Sequence, residues 1–244
     1  MKNLYDDVHL YDIVHGSFAD SDTFNFYRKH TEPSGSPVLE LASGTGFYLI
    51  PLTENNVKIT GLDISENMLR ACGQKARERN IEVEVLRGDM RDFDLKRKFK
   101  TIFIAGNSLQ HLYTIEEISA CFNCVKRHLE TGGKFIVEII NPYIPLLIRE
   151  KDKRFMIGAF EDYVLTENVF FDTVTQINHI EWHFWHRPTD TEKSLSFSMR
   201  HFFPQEFDAL FHFNNFRIDE KYGDFDETEF KSDSPKQIVV ASLP

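Results

Sequence analysis

Short apolar runs alternate with longer amphipathic stretches between about residues 20 and 142. Continuous apolar runs predict buried strands, whereas apolar residues at helical spacing predict helices that cover them. The runs predict strands at residues 38–41, 57–62, 82–86, 100–105 and 134–140. The amphipathic stretches predict helices at about residues 20–30, 47–54, 65–79 and 114–129. Strands that alternate with helices in this way predict a parallel sheet with right-handed crossovers.

The pattern changes after the fifth predicted strand. Residues 163–185 and 195–203 are rich in β-forming residues with no helix between them, and residues 187–190 have the composition of a turn. These features predict an antiparallel insertion at residues 155–203. A helix is predicted at residues 204–213, because a proline stands in its first turn, and two final strands are predicted at residues 216–222 and 237–241.

Composition and charge exclude several classes of protein. The chain has 244 residues, which favours one large domain, and its net charge of -10 disfavours nucleic acid as a partner. Three cysteines are an odd number, which argues against a disulfide framework and fits a reducing compartment. No apolar run approaches the ~18 residues that a membrane span needs. We therefore expect a cytoplasmic protein that binds neither nucleic acid nor membrane.

Small and acidic residues follow the predicted strands at one edge of the sheet. The first strand leads into the segment Ala42, Ser43, Gly44, Thr45 and Gly46, which lets a ligand approach the backbone of a strand–helix turn. Asp63 ends the second strand, and Gly88 and Asp89 follow the third. An acid at the end of the second strand can accept hydrogen bonds from ribose hydroxyls. The arrangement predicts a nucleotide-type ligand at the carboxyl edge of the sheet.

The spacing of the glycines limits which kinds of nucleotide this loop is expected to bind. In a dinucleotide fingerprint a third glycine would stand at position 49, which is Leu49 here, and the chain has no Gly-Lys-Ser/Thr sequence of a triphosphate loop. Both pyrophosphate and triphosphate cradles are therefore disfavoured.

Residues 40–46, 60–69 and 88–93 resemble motifs I, II and III of class I S-adenosylmethionine-dependent methyltransferases, and residues 107–112 and 128–134 resemble the segments after the fourth strand and before the fifth. One departure is Ala42, where the family has glycine. The resemblance implies an α/β fold with a Rossmann-like seven-stranded sheet in the order 3-2-1-4-5-7-6 and an antiparallel β lid insertion. It also implies S-adenosyl-L-methionine as the cofactor.

The same resemblance implies a role for each matching residue. Glu40 would orient the amino group of the cofactor, Asp63 would hold the ribose hydroxyls, and Asp89 would accept from the adenine amino group. The carbonyl of Asn107 would lie near the methionine moiety, and Met68 would pack near the adenine unless it is an ordinary core residue. The implied cofactor-binding residues are Tyr5, Glu40, Ala42, Gly44, Gly46, Asp63, Ile64, Met68, Gly88, Asp89, Met90 and Asn107.

Transfer of a methyl group from a sulfonium needs alignment and exclusion of water, and a base only where the acceptor arrives protonated. His111 is the candidate base, because it follows the fourth strand and titrates near neutral pH. Its alternative role is that of a loop or helix-cap histidine. Tyr11 is a second catalytic candidate, and Tyr5 and Tyr11 resemble a lid that covers the cofactor, the alternative being simple packing.

The insertion stands where small-molecule members of the family carry a lid over the acceptor. The candidate acceptor-binding residues are Tyr143, Trp182, His183, Trp185 and Arg200. Fourteen of the 23 Phe and both Trp lie in residues 151–244, which suggests an aromatic-walled pocket beside an apolar core. The predicted division is an N-terminal helical lid at residues 1–32, a cofactor-binding core at 36–150, the β insertion at 155–203 and a closing helix with strands at 204–244.

Two further groups of residues suggest chemistry more weakly. Cys121 and Cys124 form a C-x-x-C pair in the middle of a predicted helix, where packing is the expected role. His179, Glu181 and His183 share one face of a predicted strand, so a metal is conceivable, although a pocket wall or a solvated face fits better. We expect no metal.

The sequence predicts transfer of a methyl group to the nitrogen or oxygen of a small-molecule acceptor by a monomer or homodimer. One alternative is an NAD(P)-dependent dehydrogenase, which lacks support because the third glycine is missing. Another is a non-catalytic cofactor-binding protein of the same fold.

Overall fold

The structure is a computed structural model that describes residues 2–17, 21–31, 37–150 and 153–244. The helices are α1 (Val8–Ser17), α2 (Ser21–Thr31), α3 (Leu49–Glu54), α4 (Glu66–Glu78), α5 (Ile115–His128), α6 (Ile144–Leu147) and α7 (Pro204–Phe213). The strands are β1 (Lys2–Asn3), β2 (Val38–Leu41), β3 (Ile59–Asp63), β4 (Glu84–Arg87), β5 (Phe99–Ile104), β6 (Leu129–Ile140), β7 (Phe155–Phe160), β8 (Tyr163–Asp172), β9 (Ile177–His186), β10 (Thr191–Arg200), β11 (Arg217–Tyr222) and β12 (Lys236–Ser242). Two 3-10 helices cover Leu4–Asp6 and Ser108–His111.

A seven-stranded sheet forms the centre of the molecule. Its order is β4-β3-β2-β5-β6-β12-β11, which confirms the predicted order 3-2-1-4-5-7-6. The strands from β4 to β6 are parallel, whereas β12 runs antiparallel to β6 and β11 antiparallel to β12. The order in which strands are added to the sheet therefore reverses between β2 and β5, where two neighbouring crossovers leave the sheet on opposite sides and open a crevice for a ligand.

Helices cover both faces of this sheet, so its central strands are buried on both faces and mostly apolar. Every residue of β2 and of β3 is buried. On one face the sheet packs against α5 and α7, and Phe122 and Phe211 belong to that core cluster. On the other face it packs against α2, α3 and α4, and Tyr27 and Leu52 belong to the second cluster. Strands buried on both faces explain why the sequence shows continuous apolar runs instead of alternation.

The insertion forms a second sheet in the order β1-β10-β9-β8-β7. Its strands β7 to β10 are antiparallel, as predicted, and β9 lies between two full ten-residue ladders. The sequence missed β1, in which Lys2 pairs with Leu195 and Asn3 with Ser196 in parallel. A two-residue strand cannot be recognised from periodicity, because only its partner strand defines it.

Most predicted helix and strand boundaries are reproduced within two residues. Thr114 and Glu117 form the predicted capping box at the start of α5, with the side chain of each bonded to the backbone N–H of the other. The fifth strand is longer than predicted, since β6 starts at Leu129 and its pairing then jumps to Lys134 across a bulge. The predicted helix at residues 20–30 is α2, and its first predicted residue, Asp20, lies outside the described residues.

Six of the fourteen phenylalanines of residues 151–244 are buried in the core, namely Phe184, Phe202, Phe207, Phe211, Phe216 and Phe225. Phe207, Phe211 and Phe216 join Phe122 and Phe135 in a network of ring contacts between the main sheet and its covering helices, with centroid distances of 5.1–6.2 Å. Packing in this network therefore explains three of the fourteen phenylalanines in this part of the chain.

Cys121 and Cys124 are also core residues. Both are buried on α5, and burial raises the pKa of the Cys121 thiol. A thiol that holds its proton this firmly is a poor nucleophile and metal ligand, in agreement with the expected packing role. Among the described residues, no helix combines the length and apolar character that a membrane crossing requires.

Candidate active site

The carboxyl ends of β2, β3 and β4 enclose a cavity of about 580 Å³, called the first cavity below. The loops after these strands provide one wall, and the N-terminal segment with α1 provides the opposite wall. Eleven predicted site residues line this cavity: Tyr5, Tyr11, Ala42, Gly44, Asp63, Ile64, Met68, Gly88, Asp89, Met90 and His111. The sheet topology and the docking of the N-terminal segment therefore bring together residues that are up to 106 positions apart in the chain.

Asp63 is held in place by two backbone donors. Its Oδ2 accepts the N–H of Gly44 at 2.8 Å, and its Oδ1 accepts the N–H of Ser65 at 2.7 Å. Burial raises the pKa of Asp63, and these backbone donors offset part of that rise. Each carboxylate oxygen keeps a second lone pair for a ligand donor in the first cavity.

The loop after β2 follows a left-handed backbone path. Ala42, Gly44 and Gly46 have φ angles of 57°, 54° and 83°. A Cβ atom at Gly46 would lie 2.5 Å from Sγ of Cys72 on α4, so only glycine fits there. Gly46 does not line the first cavity, and its role is to let the loop pack against α4. Ala42 adopts the glycine-like φ at some cost in strain.

Arg91 neutralises Asp89 at the far end of the first cavity. Its Nε donates to both carboxylate oxygens of Asp89 at 3.0 and 3.1 Å, and a second nitrogen forms an ion pair with Glu117. Hydrogen bonds from Arg91 lower the pKa of Asp89, which keeps this carboxylate ionised and fixed as an acceptor.

Two buried oxygens near the loops lack a partner among the described residues. The first is Oε2 of Glu40, which lies in the middle of β2. The second is Oδ1 of Asn107, a residue with a left-handed backbone conformation that immediately precedes the 3-10 helix Ser108–His111. Burial raises the pKa of Glu40 well above its usual range, and the charge of Asp63 adds to that rise. A buried carboxyl and a buried carbonyl with unused lone pairs suit a cationic ligand, and S-adenosylmethionine carries both an ammonium and a sulfonium.

The N-terminal segment closes over the first cavity through polar contacts. Asp12 accepts from Thr45 at 2.7 Å and forms an ion pair with Lys75 of α4 at 2.7 Å. The hydroxyl of Tyr11 lies near Gly44, 3.6 Å from where a Cβ atom of that glycine would stand. Asp7 pairs with Lys193 on β10, so the same segment also joins the insertion.

A second cavity of about 630 Å³ lies between the main sheet and the inner face of the insertion. Its lining includes eight aromatic side chains: Tyr5, Tyr11, Phe47, Tyr48, Tyr143, Trp182, Phe197 and Phe225. The charged groups on its wall include two ion pairs, Arg149 with Glu167 at 2.9 Å and Lys236 with Glu138. The wall of the second cavity thus combines aromatic rings with ion-paired side chains, and it also carries Asp224.

The two cavities share Tyr5, Tyr11, His15, Gly106 and His111. Nδ1 of His111 lies 2.9 Å from the carbonyl oxygen of Ser198, and Nε2 lies 2.5 Å from the hydroxyl of Tyr5. Because a carbonyl only accepts, Nδ1 carries the proton and Nε2 accepts from Tyr5. Burial lowers the pKa of His111 and raises that of Tyr5, so both groups are neutral at neutral pH.

His15 is a second histidine at this junction, and it was not predicted from the sequence. Its Nδ1 lies 3.0 Å from the carbonyl oxygen of Tyr11, which fixes the same tautomer as in His111. The imidazole stacks on the ring of Tyr11 at a centroid distance of 3.8 Å, and burial lowers its pKa. The sequence did contain a signal that Tyr11 and His15 lie together, because residues four positions apart share one face of a helix.

Not every predicted residue reaches a cavity. Tyr143, Trp182 and Asn107 line the second cavity, whereas Glu40 lies beneath the loop after β2. The remaining three predicted acceptor-binding residues, His183, Trp185 and Arg200, line neither cavity.

Alternation along the strands explains this result. Trp182 faces inward on β9, so His183 and Trp185 face the opposite side of the sheet. Nε2 of His183 lies 2.7 Å from Oδ1 of Asn168, and the indole of Trp185 donates to Asp190 at 2.9 Å. Arg200 bonds to Glu206 at 2.7 Å and to the carbonyl of Tyr113, outside the second cavity.

The outward face of β9 also carries His179 and Glu181. Among the residues that the structure describes, no group of three or more His, Cys, Asp or Glu side chains is arranged to hold a metal ion. Nδ1 of His179 lies 3.0 Å from the hydroxyl of Ser198, and its ring stacks with Phe170. These side chains form a polar outer surface of the insertion.

Comparison with known proteins agrees with this geometry. A family described as a methyltransferase domain matches residues 38–133. The match covers the four parallel strands β2 to β5 with the start of β6, and with them the loops that build the first cavity. The resemblance found in the motifs is therefore confirmed.

Curated relatives share this part of the chain. The dTDP-3-amino-3,4,6-trideoxy-α-D-glucopyranose N,N-dimethyltransferase of Streptomyces venezuelae is 38% identical over 118 residues, which are 48% of this chain and 48% of that protein. The dTDP-3-amino-3,6-dideoxy-α-D-glucopyranose N,N-dimethyltransferase of Streptomyces fradiae is 33% identical over 135 residues, covering 53% and 51%. The chain thus spans about half the length of the curated relatives it matches.

Solved structures resemble the whole chain. The CcbJ methyltransferase of Streptomyces caelestis has a TM-score of 0.82 at 23% identity, covering 91% of this chain and 88% of that one. CalS10, an amino pentose methyltransferase from Micromonospora echinaspora solved with S-adenosylmethionine, has a TM-score of 0.72 at 19% identity and covers 100% of both chains. At these identities the likeness concerns the fold, and it confirms the class I methyltransferase fold expected from the motifs.

Proposed function

We propose that this protein transfers a methyl group from S-adenosylmethionine to the amino nitrogen of an amino sugar. The observation that carries the proposal is that the first and second cavities meet at Tyr5, Tyr11, His15, Gly106 and His111. A donor in one cavity and an acceptor in the other would meet at this junction with their reacting atoms side by side. Such alignment supplies most of the rate enhancement when the donor is already activated.

The first cavity fits the cofactor. Asp63 would hold the ribose hydroxyls with its free lone pairs, and Asp89 would face the adenine amino group. Glu40 and Asn107, each with an unpartnered buried oxygen, would receive the cationic methionine end. S-adenosylmethionine supplies an activated methyl group on a sulfonium when it is bound.

Nitrogen is favoured over oxygen as the methylated atom. Both curated relatives described above carry names that specify N,N-dimethylation of amino sugars. An amine is nucleophilic when neutral, so the site needs to remove only one proton per methyl group, without activating a weakly acidic hydroxyl. The neutral imidazole of His111 suits that task.

His111 and Tyr5 would move the proton. Nε2 of His111 holds the hydroxyl proton of Tyr5 in a hydrogen bond, and the phenol oxygen keeps lone pairs that face the junction. As the acceptor nitrogen gains a methyl group, it would release a proton to the Tyr5 oxygen while the Tyr5 proton passes to Nε2. The bond from Nδ1 to the Ser198 carbonyl stabilises the imidazolium that forms.

The proposal is tested by incubating the protein with S-adenosylmethionine and each of the dTDP-amino sugars named for the two relatives. Release of S-adenosylhomocysteine, with mass spectrometry showing one or two added methyl groups on the sugar, is the expected result. An Asp63→Ala variant serves as a control for cofactor-dependent turnover.

Calorimetry with S-adenosylmethionine, S-adenosylhomocysteine and NAD separates the alternatives. Binding of NAD without the adenosyl ligands would overturn the proposal in favour of a dehydrogenase. Tight binding of S-adenosylmethionine without turnover on any amine would instead indicate a non-catalytic binding protein.

A further inference from the structure

The buried end of the second cavity carries two polar side chains with no side-chain hydrogen bond among the described residues. They are Asn178 on β9, which is 9% exposed, and His201, immediately after β10, which is 6% exposed. Oδ1 of Asn178 and Nδ1 of His201 are both buried and unpartnered. Both residues line the second cavity, which is the cavity assigned to the acceptor.

The register of the insertion places these two residues side by side. Asn178 pairs with Met199 across the ladder, and the N–H of His201 donates to the carbonyl of Gln176 at 2.9 Å. Because side chains alternate along a strand, Met199 and His201 share the face of Asn178, so His201 is its diagonal neighbour. Both residues therefore reach the same end of the cavity.

The surroundings of this pair do not satisfy it. Val169 and Met199, which line the same end, are apolar and buried, and the ring of Phe171 contacts His201 edge-on at 5.8 Å. Buried polar atoms left without partners destabilise a fold, so they are retained where a ligand completes their hydrogen bonds.

The chemistry of the pair specifies the ligand group. Burial lowers the pKa of His201 to about 4, so the imidazole is neutral at neutral pH and offers one donor and one acceptor. The amide of Asn178 also offers both. Neither side chain provides charge for a phosphate or an ammonium. A hydroxyl, which donates and accepts at once, is the complementary group.

We propose that Asn178 and His201 form a hydroxyl-binding subsite that selects amino sugars with a hydroxyl beside the amino group. The proposal rests on the function proposed above. It makes Asn178 and His201, two residues of the insertion, responsible for selectivity between acceptors that differ by a single oxygen atom.

The position of the cavity mouth indicates which hydroxyl is selected. Tyr143 and Leu146 line the cavity and are 61% and 46% exposed, so they mark the open end. We place the nucleotide on C1 of the sugar at this open end, because its charged phosphates keep contact with solvent there. With the C3 amine at the junction, C4 lies across the ring from C1 and faces the buried end. The selected group is therefore the C4 hydroxyl.

Two acceptors test this assignment because they differ only at that position. dTDP-3-amino-3,6-dideoxy-α-D-glucopyranose keeps the C4 hydroxyl, and dTDP-3-amino-3,4,6-trideoxy-α-D-glucopyranose lacks it. We expect the wild-type protein to favour the first by about 10- to 100-fold in kcat/KM, the range for one or two buried hydrogen bonds. Asn178→Leu and His201→Phe should each reduce this ratio to within about threefold of one.

His179→Phe is the matched control, since His179 lies on the same ladder and faces outward. It should keep the wild-type ratio. Thermal melts of all variants separate loss of selectivity from loss of fold, and because the ratio compares two substrates on one protein sample, it is insensitive to partial unfolding.

The possible results have distinct meanings. Equal kcat/KM for both sugars in the wild-type protein would overturn the subsite while leaving the proposed function standing. An unchanged ratio in both folded variants would do the same. No methylation of either sugar would refute the proposed function, and the subsite assignment would fall with it.

Discussion

The hydroxyl of Tyr5 lies 2.5 Å from Nε2 of His111, although the two residues are 106 positions apart. The contact joins the N-terminal segment to the loop that follows β5, at the junction of the two cavities. It leaves the imidazole neutral, with its lone pair directed at a phenol. Any ligand that reaches the junction therefore meets a hydrogen-bonded tyrosine and histidine instead of a bare histidine.

Loss of either partner should slow turnover. His111→Gln removes the imidazole nitrogen that would receive the proton in the proposed relay, and we expect kcat to fall by about 100-fold. Tyr5→Phe removes the hydroxyl that links the acceptor to Nε2, and we expect a loss of about 10-fold. Initial rates of S-adenosylhomocysteine release measure both effects. Burial lowers the pKa of His111. The wild-type kcat should therefore fall only when the pH is below the usual pKa range of histidine, because only there does His111 become protonated.

Tyr113→Phe is the control for these variants. The hydroxyl of Tyr113 donates at 3.0 Å to the same Ser198 carbonyl that His111 contacts, but Tyr113 lines neither cavity. Its removal should change kcat by less than about twofold, because a partly exposed hydrogen bond contributes little. Wild-type rates for His111→Gln with every acceptor would show that His111 has only a structural role.

Asp63→Ala should weaken binding of the cofactor. The carboxylate fixes the loop through Gly44 and Ser65 and keeps lone pairs for the ligand. Loss of two charge-assisted hydrogen bonds predicts a reduction in affinity for S-adenosylhomocysteine of about 100-fold or more. Calorimetry measures the affinity, and Glu82→Ala, at an exposed position before β4, controls for a general change in charge. Unchanged affinity for Asp63→Ala would refute the ribose-binding role.

Glu40 should make cofactor binding dependent on pH. Burial raises its pKa, so in the free protein a proton competes with the cationic end of the cofactor for the carboxylate. Affinity should therefore increase as pH rises through that raised pKa, with release of up to one proton on binding. Calorimetry in two buffers with different ionisation enthalpies measures the released proton directly.

Glu40→Gln should remove this pH dependence and lower affinity at alkaline pH by about 10-fold. It should also increase stability at neutral pH. The pKa of the Glu40 carboxyl is higher in the folded state than in the unfolded state, so the protein loses stability as the pH rises between those two pKa values. Glutamine does not ionise, so the variant avoids this loss. Denaturant titrations of the wild-type protein and Glu40→Gln at pH 5 and pH 8 test the sign of this change in the free energy of unfolding. A proton-release signal that persists in Glu40→Gln would locate the titrating group elsewhere.

Ala42→Gly should stabilise the protein. Ala42 has a φ of 57°, which disfavours residues that carry a Cβ atom. Glycine relieves this strain but costs more conformational entropy on folding. The net free energy of unfolding should increase by about 0.5–1 kcal/mol. Ala71→Gly, within α4, should instead destabilise by about 0.5–1 kcal/mol. Urea unfolding measures both, and two changes of the same sign would contradict the strain at Ala42.

Much of the sheet was encoded locally. The continuous apolar runs, the N-cap at Ser65 and the capping box at Thr114 are short-range signals, and each is present in the structure. Strand order followed from the resemblance in the motifs. The short strand β1 was not predictable, because two residues have no period and only pairing with β10 makes them a strand.

The cofactor-side site was also largely predictable. Asp63, Asp89 and the loop after β2 stand at strand ends, and parallel strands bring such ends to one edge. The lining of the second cavity was not predictable. Trp182 lines the second cavity and His183 does not, since the inward face depends on how the insertion docks on the main sheet.

The sequence by itself determined the parallel sheet, the positions of its loops and the acidic residues at their ends, because these follow from apolar runs and short motifs. Only the tertiary structure decided which residues meet at the junction. Tyr5, His15 and His111 come from separate segments, and no local pattern links them. Their contact depends on the docking of the N-terminal segment and the insertion across the edge of the sheet, which arises from packing between distant parts of the chain.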